Sequence, residues 1–320
     1  MGGDFAPIEI VKGAIIAAAN QNLSIFLVGN DALLRKELRK YKNTERINIV
    51  HAGETIGMNE APMSAIKQKK DSSINVAIKL VKAGKADAVV SAGNTGALMA
   101  SALLGLGRIR GVERPAIATF FPTETSAVLL LDMGANVDCK AKHLKQFSEM
   151  GSIYAEHVLH IKSPRVGLLN IGEEAEKGNE LTQSAYKLLK GAQINFVGNI
   201  ESKEIFSGKV DVIICDGFIG NLILKFAESA GNMFLKLLKR ELKKYPLSRL
   251  GAFMITPAFS NLKKIVEYDE YGGAPLLGIA GVVIKAHGRA KAKAIKNAIG
   301  VAYESVKEKI IESIGAAESK

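Results

Sequence analysis

Short runs of β-branched and other apolar residues alternate with longer amphipathic stretches along most of this chain. Ser24–Gly29, Arg46–Val50, Ala86–Ser91, Ala116–Phe121, Ala127–Asp132, Arg165–Ile171, Ile194–Val197 and Val210–Cys215 read as strands. Several are apolar at every position, as expected of strands covered on both faces. Between them, apolar residues recur at three- and four-residue spacing in Ile8–Asn20, Ser73–Ala83, Thr95–Leu106, Leu181–Leu189 and Ile219–Lys244, which predicts helices. Such alternation predicts an α/β protein: a three-layer α/β/α arrangement around a mostly parallel sheet, with ligands at the carboxyl ends of the strands. No internal repeat, low-complexity tract or linker breaks it, so residues 1–320 are expected to form a single α/β domain. One stretch departs from the rhythm. About residues 231–264 the pattern stays helical, is interrupted at Pro246 and Pro257, and reads as a helical insertion projecting from the body.

Small polar residues and glycines cluster where strands end. Ala86–Ser91 runs into Ala92-Gly93-Asn94-Thr95-Gly96, and a helix pattern follows at once. A strand, a Gly-flanked turn and a helix start make an anion site, because unpaired N–H groups and the helix dipole face the ligand. Asn94 and Thr95 would add donors; a plain strand-to-helix turn capped by Thr95 fits the same letters. Asp132-Met133-Gly134-Ala135-Asn136 and Asp216-Gly217-Phe218-Ile219-Gly220-Asn221 repeat the arrangement. Three such junctions suggest one polar crevice built from several loops. Lys177-Gly178-Asn179 at another helix start suits a phosphate oxygen or a developing oxyanion, or is a solvated capped loop. Lys70 and Ser72, in the basic run before the helix at Ser73, could grip a phosphate or form a solvated face.

Charge and composition narrow the partners. With 43 Lys+Arg against 32 Asp+Glu the 320-residue chain carries +11, which favours an anionic partner: nucleic acid, membrane, acidic protein or phosphorylated ligand. Aromatic content of 6% without Trp argues against base stacking and hence against nucleic acid. Two distant cysteines, Cys139 and Cys215, exclude a disulfide scaffold and a thiolate zinc cage, and suit a reducing cytoplasm. No apolar run reaches the roughly 18 residues of a membrane span, and no signal peptide opens the sequence. The familiar nucleophile and phosphate motifs (G-x-S-x-G, the Walker loop, G-x-G-x-x-G, H-E-x-x-H) are missing from it. His157 and His160 are too few for a metal site, and only His287, beside Gly288, is placed near chemistry. The nucleophile is then expected to arrive as a ligand, with no metal and no cofactor. Inorganic phosphate attacking an acyl thioester is such a reaction.

These residues together resemble the PlsX-type phosphate acyltransferases of bacterial phospholipid synthesis. The resemblance rests on Met1-Gly2-Gly3-Asp4, Lys69-Lys70-Asp71-Ser72-Ser73, Ser91–Ala97, Glu113-Arg114-Pro115, Asp132–Asn136, Gly167–Glu174, Lys177–Glu180, Phe196–Glu201, Asp216-Gly217-Phe218, Gly272–Gly278 and His287-Gly288, in that order over nearly the whole chain. It implies transfer of a long-chain acyl group from acyl carrier protein to inorganic phosphate, a fold similar to phosphotransacetylases and to isocitrate and isopropylmalate dehydrogenases, and a homodimer. A membrane acyltransferase would consume the acyl phosphate. The resemblance leaves the catalytic roles open; from the residues, phosphate is expected against the Gly93–Ala97 helix start, at Gly93, Asn94, Thr95 and Gly96, with Lys177 and Asn179 nearby. Gly134 or Gly217, with Asn136 and Asn221, stabilises the oxyanion, Asp216 belongs to that loop, and His287 protonates the leaving thiolate. Family members also carry a short apolar strand ahead of the Met-Gly-Gly-Asp block, so a strand position is expected before Met1, and filling it should raise thermal stability.

The projecting stretch carries a further expectation. Leu247, Leu250, Phe253, Met254, Ile255 and Phe259 form an apolar set edged by basic residues, following the basic, apolar-striped helix end at Lys236–Lys244. The pattern fits a packing surface or dimer face. With the resemblance it fits a tip that binds anionic bilayers reversibly, placing the protein in the cytoplasm and peripherally on the inner face of the membrane. Two alternatives remain: a phosphotransacetylase acting on short acyl-CoA, and a non-enzymatic lipid-surface adaptor.

Overall fold

The alternation is realised in the computed structural model, which describes residues 1–20, 23–244, 251, 254 and 272–318. In chain order the elements are α1 (Ile8–Asn20), β1 (Ile25–Gly29), α2 (Asp31–Leu38), β2 (Ile47–His51), α3 (Pro62–Gln68), α4 (Ser73–Lys82), β3 (Ala88–Ser91) and α5 (Thr95–Gly105). They continue with β4 (Ala116–Ile117), β5 (Thr119–Pro122), β6 (Ala127–Leu131), α6 (Ala141–His157), β7 (Arg165–Asn170), α7 (Glu180–Lys190), β8 (Asn195–Glu201), β9 (Val212–Ile214) and α8 (Gly217–Lys244). After the segment outside the described residues come β10 (Ala274–Leu277), β11 (Val282–Lys285), α9 (Ala292–Lys307) and α10 (Ile310–Glu318).

Among the described residues the strands form three sheets with orders β1-β2, β3-β11-β10-β4 and β5-β6-β9-β7-β8. Pairing is parallel except where β10 meets β11 and β4 and where β5 meets β6. The sequence reading of Ala116–Phe121 as one strand is refined here: only Ala118 separates β4 from β5, and the chain passes across it from one sheet into the next. That passage sets the geometry of the site. β11 and β4 both run antiparallel to β10, so they point the same way, toward the third sheet. β6 runs antiparallel to β5 and therefore points back. The carboxyl ends of β3 and β11 thus face those of β6, β9 and β7 across a cleft.

Small residues let the layers close. α5 buries Ala97, Leu98, Ser101 and Ala102 in a core that also holds Ile117, Leu130, Met133 and Val283, so one helix packs on strands of both larger sheets. α1 lies against α9 through Gly13, where a Cβ would come within 2.6 Å of Ile295. Beside β1 the layering is interrupted. A cavity of about 490 Å³ lies between Leu23–Val28 and Lys85–Ala92, walled by α1, α4 and α9, and Met1 lines it. Among the described residues the facing edges of β1 and β3 have no ladder partner.

Of the stretch expected to form an insertion, residues 231–244 are the last turns of α8, which is continuous from Gly217 to Lys244, and most of the rest lies outside the described residues. Of the proposed tip, Leu247, Leu250, Phe253, Ile255 and Phe259 lie outside the described residues, and Met254 is exposed. No helix among the described residues is long and apolar enough to cross a membrane.

Candidate active site

On the β3 side of the cleft, Asn94 caps α5: its Oδ1 accepts the Ala97 N–H at 3.0 Å. Its Nδ2 donates to the carbonyls of Gly57, Met58 and Glu60 at 3.2, 2.9 and 3.1 Å. The sequence expectation that Asn94 donates to phosphate is corrected by this geometry. The amide is buried and committed to pinning the 57–60 loop over the helix start. What remains open is backbone: the N–H groups of Thr95 and Gly96 have no acceptor among the described residues. Gly93 and Gly2 make the close approach possible. A Cβ on Gly2, whose φ is +97°, would press on the Ile56 carbonyl and the Gly93 Cα.

The same end gathers several chain segments. Asp4 N–H donates to Gly288 O at 2.9 Å, and the Arg289 guanidinium lies 3.8 Å from the Asp4 carboxylate. His287 is exposed and its Nδ1 accepts the Arg289 N–H. Lys69 holds Glu60 at 2.6 Å, and that hydrogen bond keeps the Glu60 carboxyl below the usual range. Ser72 is buried and caps α4 by accepting the Asn75 N–H, while Lys70 is exposed.

Across the cleft, Asp132 organises the second wall. Its fully buried carboxylate accepts from the N–H groups of Ile117, Ala135 and Asn136 and from Asn136 Nδ2, at 2.7–3.1 Å. Burial pushes its pKa up, against the pull of those four donors. Asn136 gives its other amide hydrogen to Pro115 O at 2.7 Å, and its carbonyl takes the Gly217 N–H at 2.8 Å. Neither Asn136 Nδ2 nor the Gly217 N–H is therefore open as an oxyanion donor, which corrects two expectations at once. Asp216 accepts the Ile219 N–H and starts α8. Gly134 keeps an exposed N–H without an acceptor among the described residues, and the Asn221 side chain lies over it, 3.3 Å from where a Cβ would stand. Gly134 and Asn221 are the pair the fold leaves available.

The third wall follows β7. Asn179 caps α7 by accepting the Thr182 N–H at 3.0 Å, and Asn170 Nδ2 holds the Lys177 carbonyl. The exposed Lys177 ammonium has no partner among the described residues. Gly178 adopts φ +91° because Thr182 and Asn170 occupy the space a side chain would need. The cysteines supply no nucleophile: burial pushes the Cys139 thiol up to about 12 and the Cys215 thiol well above its ordinary value. Beside the Asp132 loop a second cavity of about 490 Å³ pairs apolar Met99 and Leu103 with Arg114, Lys140 and His143. One cluster, His160 with Glu304 and Glu308, brings metal-type ligand atoms together on a different face, where Lys307 lies 3.0 and 3.6 Å from the two carboxylates.

Two facing strand-end edges, bridged by one helix, define an α/β protein of the phosphotransacetylase fold. EutD phosphotransacetylase from Staphylococcus aureus superposes with a TM-score of 0.62 at 14% identity, over 92% of this chain and 90% of that one. A phosphotransacetylase from Streptococcus pyogenes gives 0.61 at 16% identity, over 98% and 92%. A profile of the fatty acid synthesis protein family matches residues 1–313, and the chain belongs to that family. Phosphate acyltransferases from Pelotomaculum thermopropionicum and Dictyoglomus turgidum are 53% and 52% identical to it, each over 98% of this chain and over 92% and 96% of their own lengths. The protein is an acyltransferase.

Proposed function

We propose that the protein transfers a long-chain fatty acyl group from the thioester of an acidic acyl carrier protein to inorganic phosphate, giving acyl phosphate and the free carrier thiol. The observation that carries this reading is the pair of open N–H groups of Thr95 and Gly96, at a helix start inside the cleft. Phosphate bound there would need no base, being already an anionic nucleophile at neutral pH. One of its oxygens attacks the thioester carbonyl carbon, and charge develops on the carbonyl oxygen opposite Gly134 N–H and Asn221. The carbon–sulfur bond then breaks and the thiolate takes a proton, from His287 or from water. Lys177, exposed ahead of α7, is the cation assigned to the incoming phosphate. The cavity of Met99, Leu103, Arg114 and Lys140 suits the phosphodiester-bearing arm of the carrier.

Purified protein mixed with palmitoyl carrier protein and phosphate is expected to form a hydroxylamine-reactive acyl phosphate, with one thiol released per acyl transferred. Faster formation of acetyl phosphate from acetyl-CoA would replace this reading with the short-chain one. No acyl phosphate from either donor, with vesicle binding retained, would leave the adaptor.

The product's destination supports a peripheral site of action at the inner face of the membrane, where a membrane acyltransferase would consume it. α8 exposes Phe218, Leu222, Phe226, Phe234 and Leu237, an apolar stripe suited to a second copy of the chain in a homodimer, and its far end is rich in lysine. Basic residues near an anionic leaflet contribute about 1 kcal/mol each. Co-sedimentation with phosphatidylglycerol vesicles is expected at low salt, and to fall when Leu250 and Phe253 are both changed to Asp, with acyl transfer in solution kept. Wild-type sedimentation by the double variant would reduce the tip to a packing surface.

A further inference from the structure

Lys285 ends β11 directly opposite Ser91, the last residue of β3, in a parallel ladder. Ala286 N–H donates to Ser91 O at 2.9 Å, and Ser91 Oγ takes the Gly93 N–H at 3.2 Å. The lysine is therefore one strand spacing, about 4.8 Å, from the strand that feeds the turn before α5. Its face follows from the pleat. Ile284 packs with Ala294, Ile295 and Ala298 of α9, whereas Val283 packs with Ala97 and Leu98 of α5. Lys285 shares the face of Val283 and lies beyond it, on the side of the α5 N-terminus.

This cation is in an unfavourable place. Lys285 is 7% exposed, and its ammonium has one hydrogen bond, to the carbonyl of Ala286. No carboxylate lies within ion-pair distance among the described residues. The neighbouring elements supply little charge: β3, β10 and α5 contain no ionisable residue, and α9 covers the opposite face with alanine and isoleucine. Asp4 acts from a distance and is shared with Arg289, on the loop that also carries His287. Burial consequently lowers the Lys285 pKa to about 8. A buried ammonium beside the positive end of a helix is costly on both counts, and an anion between them relieves both.

We propose that Lys285 is a substrate-binding residue of this cleft, donating its ammonium to an oxygen of the phosphate held at the start of α5. The proposal rests on the reading of that site as the phosphate site. It also accounts for why a lysine, rather than one more Val or Ile, closes an otherwise apolar strand. Nothing else in β11 needs the charge.

Three measurements test it. Lys285→Met is expected to keep or raise the melting temperature, since an uncompensated buried charge is removed. It should raise the KM for phosphate about tenfold to a hundredfold, with the KM for the acyl thioester nearly unchanged. Lys285→Arg should restore phosphate affinity to within a few-fold and flatten the rise in phosphate KM expected of wild type as pH passes about 8. In wild-type protein labelled at lysine Cε, one NMR resonance should titrate near 8 rather than above 10, and inorganic phosphate should move that titration upward. An unchanged phosphate KM in Lys285→Met, or a resonance whose titration ignores phosphate, overturns the proposal. Failure of wild type to make acyl phosphate would instead sink the proposed reaction, and the NMR titration would still decide whether Lys285 meets the anion.

Discussion

Thr95→Pro is expected to leave the fold standing while lowering kcat/KM for phosphate about a hundredfold or more. Thr95 is the first residue of α5, where proline is favoured because its fixed φ suits the helix and the missing N–H is one the helix does not use. The preceding Asn94 is extended, with φ −57° and ψ 122°, which is the conformation a residue before proline prefers. The threonine side chain is exposed. The melting temperature should therefore hardly move, while one of two N–H groups aimed at the nucleophile is deleted. Losing one preorganised donor of this kind costs about 10²–10³ in rate. Thr95→Ala keeps the N–H and should keep most of the activity. Asn94→Ala should behave in the opposite manner, lowering stability by about 1–2 kcal/mol through the lost cap and freeing the 57–60 loop. Wild-type phosphate kinetics in Thr95→Pro would show that the helix start is a turn and not a binding site.

The contrast between these neighbours shows where reading the sequence runs out. The junctions at Gly93, Gly134 and Gly217 were legible because Gly and Asn beside an apolar run have few other uses, and the structure places all three at the cleft. Which atoms are open was not legible. Asn94 and Asn136 look like ligand donors in the sequence, but the amide hydrogens of each are committed to partners up to 37 residues away, and only the fold decides that. β10 and β11 are not legible because Pro275 and the flanking glycines mimic a loop, and β8 reads short because Gly198-Asn199 looks like a turn. Lys285 falls in the same stretch. Its signal was present: a lysine terminating Val-Val-Ile, two residues before the His287-Gly288 pair already singled out.

The break between β1 and β3 leads to the second large expected effect, in stability. Met1 sits at the carboxyl ends of both strands: its side chain crowds Gly29 at the end of β1, and its carbonyl lies near Gly93 beyond β3. An extended segment joined ahead of Met1 would run down the cavity parallel to both strands and offer ladder partners to two open edges. Five or six residues suffice for strands of this length, and they should be apolar throughout because α4 lies on one face and α1 and α9 on the other. Burying such side chains stabilises by about 1.5–3 kcal/mol each before the ordering cost of about 1–2 kcal/mol per residue. A net gain of a few kcal/mol would raise the melting temperature by about 5 °C or more. The buried amino group of Met1 supplies an internal control. Burial lowers its pKa from an ordinary value of 8.0, so its contribution to stability is full above that value and is lost as pH falls through the lowered one. Any extension, apolar or Gly-Ser, moves the amine away and should flatten the decline in melting temperature as pH falls below 8.0. Only the apolar segment should also raise the melting temperature above pH 8, where the amine no longer matters. Equal melting temperatures for the two extensions under those conditions would mean that the cavity does not accept a strand.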